Sequence, residues 1–204
     1  MRLGLLGGTF DPVHNAHLAM AKEACEACAL DAVWFVPNSI PPHKAEGPVA
    51  SWEQRYEMVA LACAQDVRFH PSRLEEGSRT SFTIHTLRAV RDSLSDGDAL
   101  FFLIGADAFA EIGSWYRREE VFALVTFVVL SRPGHPCVQP EGARTVWLES
   151  LSMDVSSSHI RQQLAAGKTS VAVPPAVLDY ILVNKVYRVG AAPGRTQTAS
   201  GGSE

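Results

Sequence analysis

Several features are scarce or missing in this 204-residue chain, and each absence removes a class of protein. No apolar run approaches the roughly 20 residues that cross a bilayer. The opening stretch Met1–Gly8 is too short and too interrupted by glycine for a signal peptide, which predicts a cytoplasmic protein without a membrane partner. Positive charge is not in excess: 18 Lys and Arg face 22 Asp and Glu, a net charge of −4. With no basic field and no aromatics interleaved with Lys or Arg, a nucleic-acid partner is not expected. Any anion site must be local.

Cysteine is sparse, with four in the chain. Cys25 and Cys28 have C-x-x-C spacing, but they lie in an Ala-rich helical stretch with no second Cys/His pair nearby. They read as small buried residues, and no resident metal is expected. Internal repeats are also lacking, as is any linker within the first 190 residues. Nothing in the sequence requires or excludes a homo-oligomer.

What remains is an ordinary globular composition, 47% hydrophobic and 20% charged, long enough for one α/β core. Strand readings fit Arg2–Gly7, Ala32–Val36, a short Val67–His70, and the nearly continuous apolar runs Ala99–Gly105 and Thr126–Ser131. Helices are predicted over Asn15–Ala29, from the Ser51–Gln54 capping box to about Gln65, and over Thr83–Leu94, Ser157–Ala166 and Ala176–Lys185. Gly167 should stop the fourth of these, and Pro174-Pro175 precede the fifth. Alternating strands and helices predict a single α/β domain over residues 1–189 with a doubly wound, mostly parallel sheet. The Gly-rich polar tail 190–204 reads as disordered. In such sheets ligands bind beyond the carboxyl ends of the strands.

The loop after the first strand, Gly7-Gly8-Thr9-Phe10-Asp11-Pro12-Val13-His14-Asn15-Ala16-His17, has neither the Walker pattern nor G-x-G-x-x-G. It still has the parts of an anion site. Glycines allow close backbone approach, the following helix offers free N–H groups, and His14 and His17 share a helix face. A nearby dianion would favour the charged form of these imidazoles. A capping His beside a packing His is the plain alternative.

Gly7–Leu18 closely resembles the first motif of the bacterial nicotinate mononucleotide adenylyltransferases, in the nucleotidylyltransferase superfamily. The resemblance implies a Rossmann-like fold. It also implies that His14 and His17 flank the ATP phosphates, with Gly7, Gly8, Thr9, Phe10 and Ala16 against the nucleotide. Ala16 stands where the family usually has Gly, and the resemblance implies that its added methyl would push towards the adenine edge.

A second segment, Ser156-Ser157-Ser158-His159-Ile160-Arg161, reads alone as a helix cap followed by a surface Arg. Val155–Arg161 is similar to the family's second motif, which implies β/γ-phosphate binding by Ser156, Ser157 and Ser158 and charge neutralisation by Arg161. Pro37–Lys44 resembles the family's PN-x-x-PPHK loop and makes Lys44 a phosphate ligand. Ser131–Gly134 matches a further loop, placing Arg132 near the adenosine.

On the acceptor side the resemblance sets the pyridine ring against Trp115 and Tyr116, the nicotinate carboxylate at Thr83 and Asp107 near the ribose. It implies adenylyl transfer from ATP, accompanied by Mg²⁺, to nicotinate mononucleotide. Rival acceptors are nicotinamide mononucleotide and a pantetheine phosphate. A non-catalytic nucleotide sensor is the rival outside enzymes, and the retained His14, His17, Lys44 and Arg161 speak against it.

Overall fold

The computed structural model describes residues 1–39, 47–78, 82–131, 138–149 and 155–187. Among these residues β1 (Arg2–Gly8), α1 (Asn15–Cys28), β2 (Ala32–Pro37), α2 (Trp52–Cys63), β3 (Phe69–Pro71) and α3 (Thr83–Ser93) form the first half. The second half runs β4 (Ala99–Gly105), α4 (Ala106–Ala110), a 3₁₀ turn, α5 (Arg118–Leu124), β5 (Thr126–Ser131), β6 (Arg144–Glu149), α6 (Ser157–Ala165) and α7 (Pro175–Val183). The tail 190–204 lies outside the described residues, as do Lys44 and Arg132.

The strand order is β3-β2-β1-β4-β5-β6, and every pairing is parallel. The sheet is therefore doubly wound, with its change of direction between β1 and β4. Register places Gly8 beside Pro37 and Leu6 beside Leu103, so the carboxyl ends of β1, β2 and β4 finish together.

Side chains leave each strand to alternate faces, and that alternation divides the core in two. Leu100, Phe102 and Ile104 of β4 join Phe127 and Val129 of β5 under α3, α4 and α5. Phe101, Leu103, Val128 and Leu130 point the other way and pack with α1, α2, α6 and α7. A fully buried Leu, Val or Phe is worth about 1.5–3 kcal/mol against exposure, so two such layers make this sheet the rigid part of the molecule.

The helix ends follow their sequence signals. Ser51 Oγ accepts from Gln54 N at 3.2 Å while Ser51 N donates to Gln54 Oε1 at 3.0 Å, the expected capping box. Gly167 adopts φ +77° just past α6, where a side chain would be strained, and Pro175 occupies the first turn of α7.

Three elements escaped the sequence pattern. Strand β6 is an edge strand whose residues are half-buried or exposed, so it lacks the apolar run that marks β4 and β5. Helices α4 and α5 have five and seven residues, under two turns and too short for a period to show. The strand expected at Val67–His70 is instead Phe69–Pro71. Val67 is 93% exposed in a turn, and pairing starts only where Phe69 meets Val33. Cys25 and Cys28 are buried in the core with free thiols, and burial raises the pKa of both.

Candidate functional site

The loop from Thr9 to His14 is fixed by donors arriving from distant parts of the chain. Arg55 Nη1 donates to the Thr9 carbonyl at 2.7 Å and Nη2 to the Ser39 carbonyl at 3.4 Å. Arg161 Nη1 donates to the Asp11 carbonyl at 2.7 Å, and Ser157 Oγ to the Pro12 carbonyl at 2.9 Å. Asn15 N closes the set on the Ala172 carbonyl at 2.9 Å.

Asp11 holds the loop from within. Its buried carboxylate accepts from Val49 N at 2.8 Å, Ala50 N at 3.1 Å and Tyr187 Oη at 2.7 Å. Burial, then the adjoining Asp11 charge, pushes the Tyr187 hydroxyl well above its ordinary pKa. The result joins the ends of β1, α2, α6 and α7 at one loop. Phe10, left-handed at φ +49°, turns its ring into the core at 2% exposure and meets His17 edge-on at 4.9 Å. A Cβ on Gly8 would stand 3.1 Å from that ring, so the glycine is needed to seat Phe10.

This bracing places the two histidines. His14 caps α1 in extended conformation, and its backbone N donates to His17 Nδ1 at 3.1 Å. The rings stack with centroids 3.7 Å apart. An imidazole that accepts at Nδ1 carries its proton on Nε2 when neutral, so His17 offers one fixed Nε2–H donor. His14 is 5% exposed, and among the described residues its Nδ1 has no hydrogen-bond partner. Burial lowers the His14 pKa from 6.5 to about 4; burial and then nearby His14 bring His17 well below 6.5. The sequence suggested charged imidazoles near phosphate; the protein by itself holds the pair neutral.

A neutral pair has a consequence for acid stability. Between pH 6.5 and about 4 the unfolded chain takes up protons that folded His14 refuses, so stability falls as pH falls through that window. We expect the melting temperature to drop between pH 7 and 5, and the His14→Gln/His17→Gln double variant to lose most of that drop. An equal drop in the double variant, followed by calorimetry, would rule out the histidines as its source.

Beyond the histidines lies a cleft of about 260 Å³ at the carboxyl ends of β1, β2 and β4. Gly7, His17, Thr83 and Trp115 all line it. A Cβ at Gly7 would sit 3.7 Å from Phe102 and 3.8 Å from Asn38, and a longer side chain would fill this space. Thr83 begins α3 after Phe82, whose side chain makes no cap; His85 N bonds the Phe82 carbonyl at 3.0 Å, and among the described residues no side chain caps Thr83 or Ile84 N. Trp115 meets Phe102 edge-on at 5.8 Å.

The other expected residues are placed differently. Tyr116 is 53% exposed and packs on Phe82 at 4.9 Å rather than lining the cleft. Asp107 is exposed on α4, also outside the lining. Ala16 is buried, so its methyl packs inside the fold. Ser156 caps α6 by accepting from His159 N at 3.3 Å, while Ser158 accepts from Arg161 Nη2 at 3.3 Å. The hydroxyl proton of Ser157 is committed to Pro12.

Sequence reading passed over Asp11, Arg55, Glu75 and Tyr187. Asp11 stood inside the first motif, and Arg55 carried a signal of its own: with Met58, Val59 and Ala62 it occupies the buried stripe of α2, where a cation is out of place. The others are brought in from loops and the C-terminal turn without any periodic mark.

Comparison with known proteins agrees with this architecture. A cytidylyltransferase-like family model matches residues 5–163. A protein of Solibacter usitatus named "Probable nicotinate-nucleotide adenylyltransferase" is 49% identical over 92% of this chain and all of its own length. A protein of the same name from Thermus thermophilus is 43% identical over 92% of this chain and all of its own. The solved Plasmodium falciparum nicotinic acid mononucleotide adenylyltransferase, complexed with NaAD, superposes with a TM-score of 0.76 at 20% identity. That superposition covers 91% of this chain and 97% of that one, and speaks for a common fold. With a family model matching residues 5–163 and relatives covered over their whole length, the chain belongs to the cytidylyltransferase-like family, among its nicotinate-nucleotide adenylyltransferases.

Proposed function

We propose that the protein transfers the adenylyl group of ATP to nicotinate mononucleotide, giving deamido-NAD and pyrophosphate. The observation that carries this reading is the cleft itself: His17 and Gly7 of the first motif line the same space as Thr83 and Trp115. Full-length relatives bearing that enzyme's name support it.

In this reading the triphosphate lies over the Gly7–Phe10 turn and the start of α1, beside buried Ala16. His14 and His17 stand at the α-phosphate, and Ser156, Ser158 and Arg161 at the β- and γ-phosphates. Ser157 holds the loop through Pro12, and Lys44 and Arg132 complete the ATP side. The acceptor ring stacks on Trp115, its carboxylate meets the first turn of α3 at Thr83, and Tyr116 and Asp107 close the rim.

The acceptor 5′-phosphate has a second pKa of about 6, so at neutral pH it is mostly a dianion and needs no general base. One of its oxygens bonds to the α-phosphorus of ATP. The bond from that phosphorus to the bridging oxygen breaks in line, and the electron pair leaves with pyrophosphate. Catalysis is positioning plus stabilisation of the charge that develops on the phosphoryl oxygens. The neutral Nε2–H of His17 is a preorganised donor for such an oxygen, already held by His14 N.

Mg²⁺ bound to the triphosphate would supply charge neutralisation there. Among the described residues no group of three His, Cys, Asp or Glu side chains could hold an ion. No described helix is long and apolar enough to cross a membrane.

The test is a parallel rate measurement with ATP and three acceptors: nicotinate mononucleotide, nicotinamide mononucleotide and pantetheine phosphate. We expect the acid mononucleotide to give the highest kcat/KM, with one pyrophosphate per dinucleotide. A higher kcat/KM on either rival acceptor would reassign the substrate, and ATP bound without pyrophosphate release would indicate a sensor.

A further inference from the structure

One group lining the cleft has no task in the reaction as described. Glu75 follows β3, is 7% exposed and faces the same space as Thr83 and Trp115. Its Oε1 accepts from Thr86 Oγ1 at 2.6 Å, which fixes the carboxylate in one orientation. Among the described residues its buried Oε2 has no hydrogen-bond partner.

A buried carboxylate oxygen left without a donor is costly, and one that opens on a cleft is placed to accept from a group bound there. The charge excludes an anion as that ligand group. The acceptor's anionic ends are therefore placed elsewhere, the ring carboxylate at the α3 N-terminus and the 5′-phosphate toward His17. Thr86 lies three residues beyond Thr83, so Glu75 is anchored about one helical turn, roughly 5 Å, from the first N–H groups of α3.

The opposite side is set by Arg55, which bonds the Thr9 and Ser39 carbonyls and feels the charge of Glu75. Glu75 thus stands between the ring end of the cleft and the first-motif loop. A mononucleotide bound across that span presents its ribose there, with two neighbouring hydroxyl donors. A carboxylate accepting from ribose hydroxyls is a recurrent device in doubly wound nucleotide sites.

We propose that Glu75 is a specificity-determining residue that accepts hydrogen bonds from the ribose hydroxyls of the acceptor nucleotide. This rests on the adenylyltransferase reading given above. Thr86 is the positioning residue for it, holding Oε1 so that Oε2 faces the sugar.

The experiment compares the full-length protein with Glu75→Gln and Glu75→Ala, using nicotinate mononucleotide and its 2′-deoxy and 3′-deoxy analogues. A hydrogen bond to a charged group corresponds to roughly a 10- to 100-fold change. The wild type should therefore lose about that factor in kcat/KM on at least one deoxy analogue. Glu75→Ala should lose a similar factor on the parent acceptor and no longer discriminate against the analogue, with KM for ATP unchanged. Glu75→Gln, isosteric and still an acceptor, should fall between them.

Equal losses on parent and deoxy acceptors in both variants would show a merely structural carboxylate and overturn the proposal. So would a variant effect that follows the acid-or-amide ring substituent instead of the hydroxyls. Should Glu75→Ala fail to fold, Glu75→Gln alone decides: retained discrimination identical to wild type overturns the assignment, and reduced discrimination supports it. Failure of the parent reading looks different, since the wild type would then form no dinucleotide from the parent acceptor.

Discussion

Replacing His17 by Ala is expected to lower kcat about 10²–10³-fold, the loss seen when one preorganised donor to a developing oxyanion is removed. The argument begins with geometry. His14 N fixes the His17 tautomer, stacking on His14 and the Phe10 edge fix the ring plane, and the ring lines the cleft. A donor held this firmly loses no entropy on meeting the transition state. Its value is greatest when charge builds on the phosphoryl oxygens, so KM for ATP should change only modestly. Single-turnover rates at saturating ATP and acceptor make the measurement. Turnover within a few-fold of wild type would remove His17 from the chemistry.

Replacing Arg55 by Ala has a larger effect on the folded state than any surface change. Arg55 is 1% exposed, and burial lowers its pKa, opposed chiefly by the charge of Asp11. Truncation deprives two loop carbonyls, at Thr9 and Ser39, of donors and removes one of the two cations near the Asp11 carboxylate, leaving Arg161 at 3.8 Å. Breaking a buried charge arrangement in this way costs about 3–5 kcal/mol. In a domain of this size that lowers Tm by roughly 10 °C. Activity should fall further than stability alone explains, because Thr9 belongs to the first-motif turn. Arg55→Met separates the contributions: it keeps much of the volume, so its remaining loss reports the hydrogen bonds and charge. Thermal melts of both variants within about 2 °C of wild type would show that Arg55 does not brace the loop.

These two expectations differ in how visible they were in the sequence. His17 lies in a motif beside a glycine turn, and local spacing was enough to select it. Arg55 does its work across 46 residues, and only its place on an apolar helical stripe hinted at burial. Tyr187 and Asp11, 176 positions apart, gave no hint of meeting. Trp115 and Tyr116 show the opposite case. Adjacent in sequence and grouped together on that ground, they diverge in space, one into the cleft and one onto Phe82 at the surface.

By itself the sequence determined five of the six strands and the five longer helices, the Ser51 capping box, and the two motifs that belong at strand and helix ends. All of these depend on interactions within a few residues, where hydrophobic period, capping hydroxyls and glycine turns act. The tertiary structure alone decided which groups share the site, that the histidines stack as a neutral pair, and that Arg55, Tyr187 and Glu75 take part. The reason is that burial and donor–acceptor partnership between distant segments are properties of the packed chain. Parallel crossovers bring β1, β2 and β4 to a common edge, and no local pattern carries the distances across that edge.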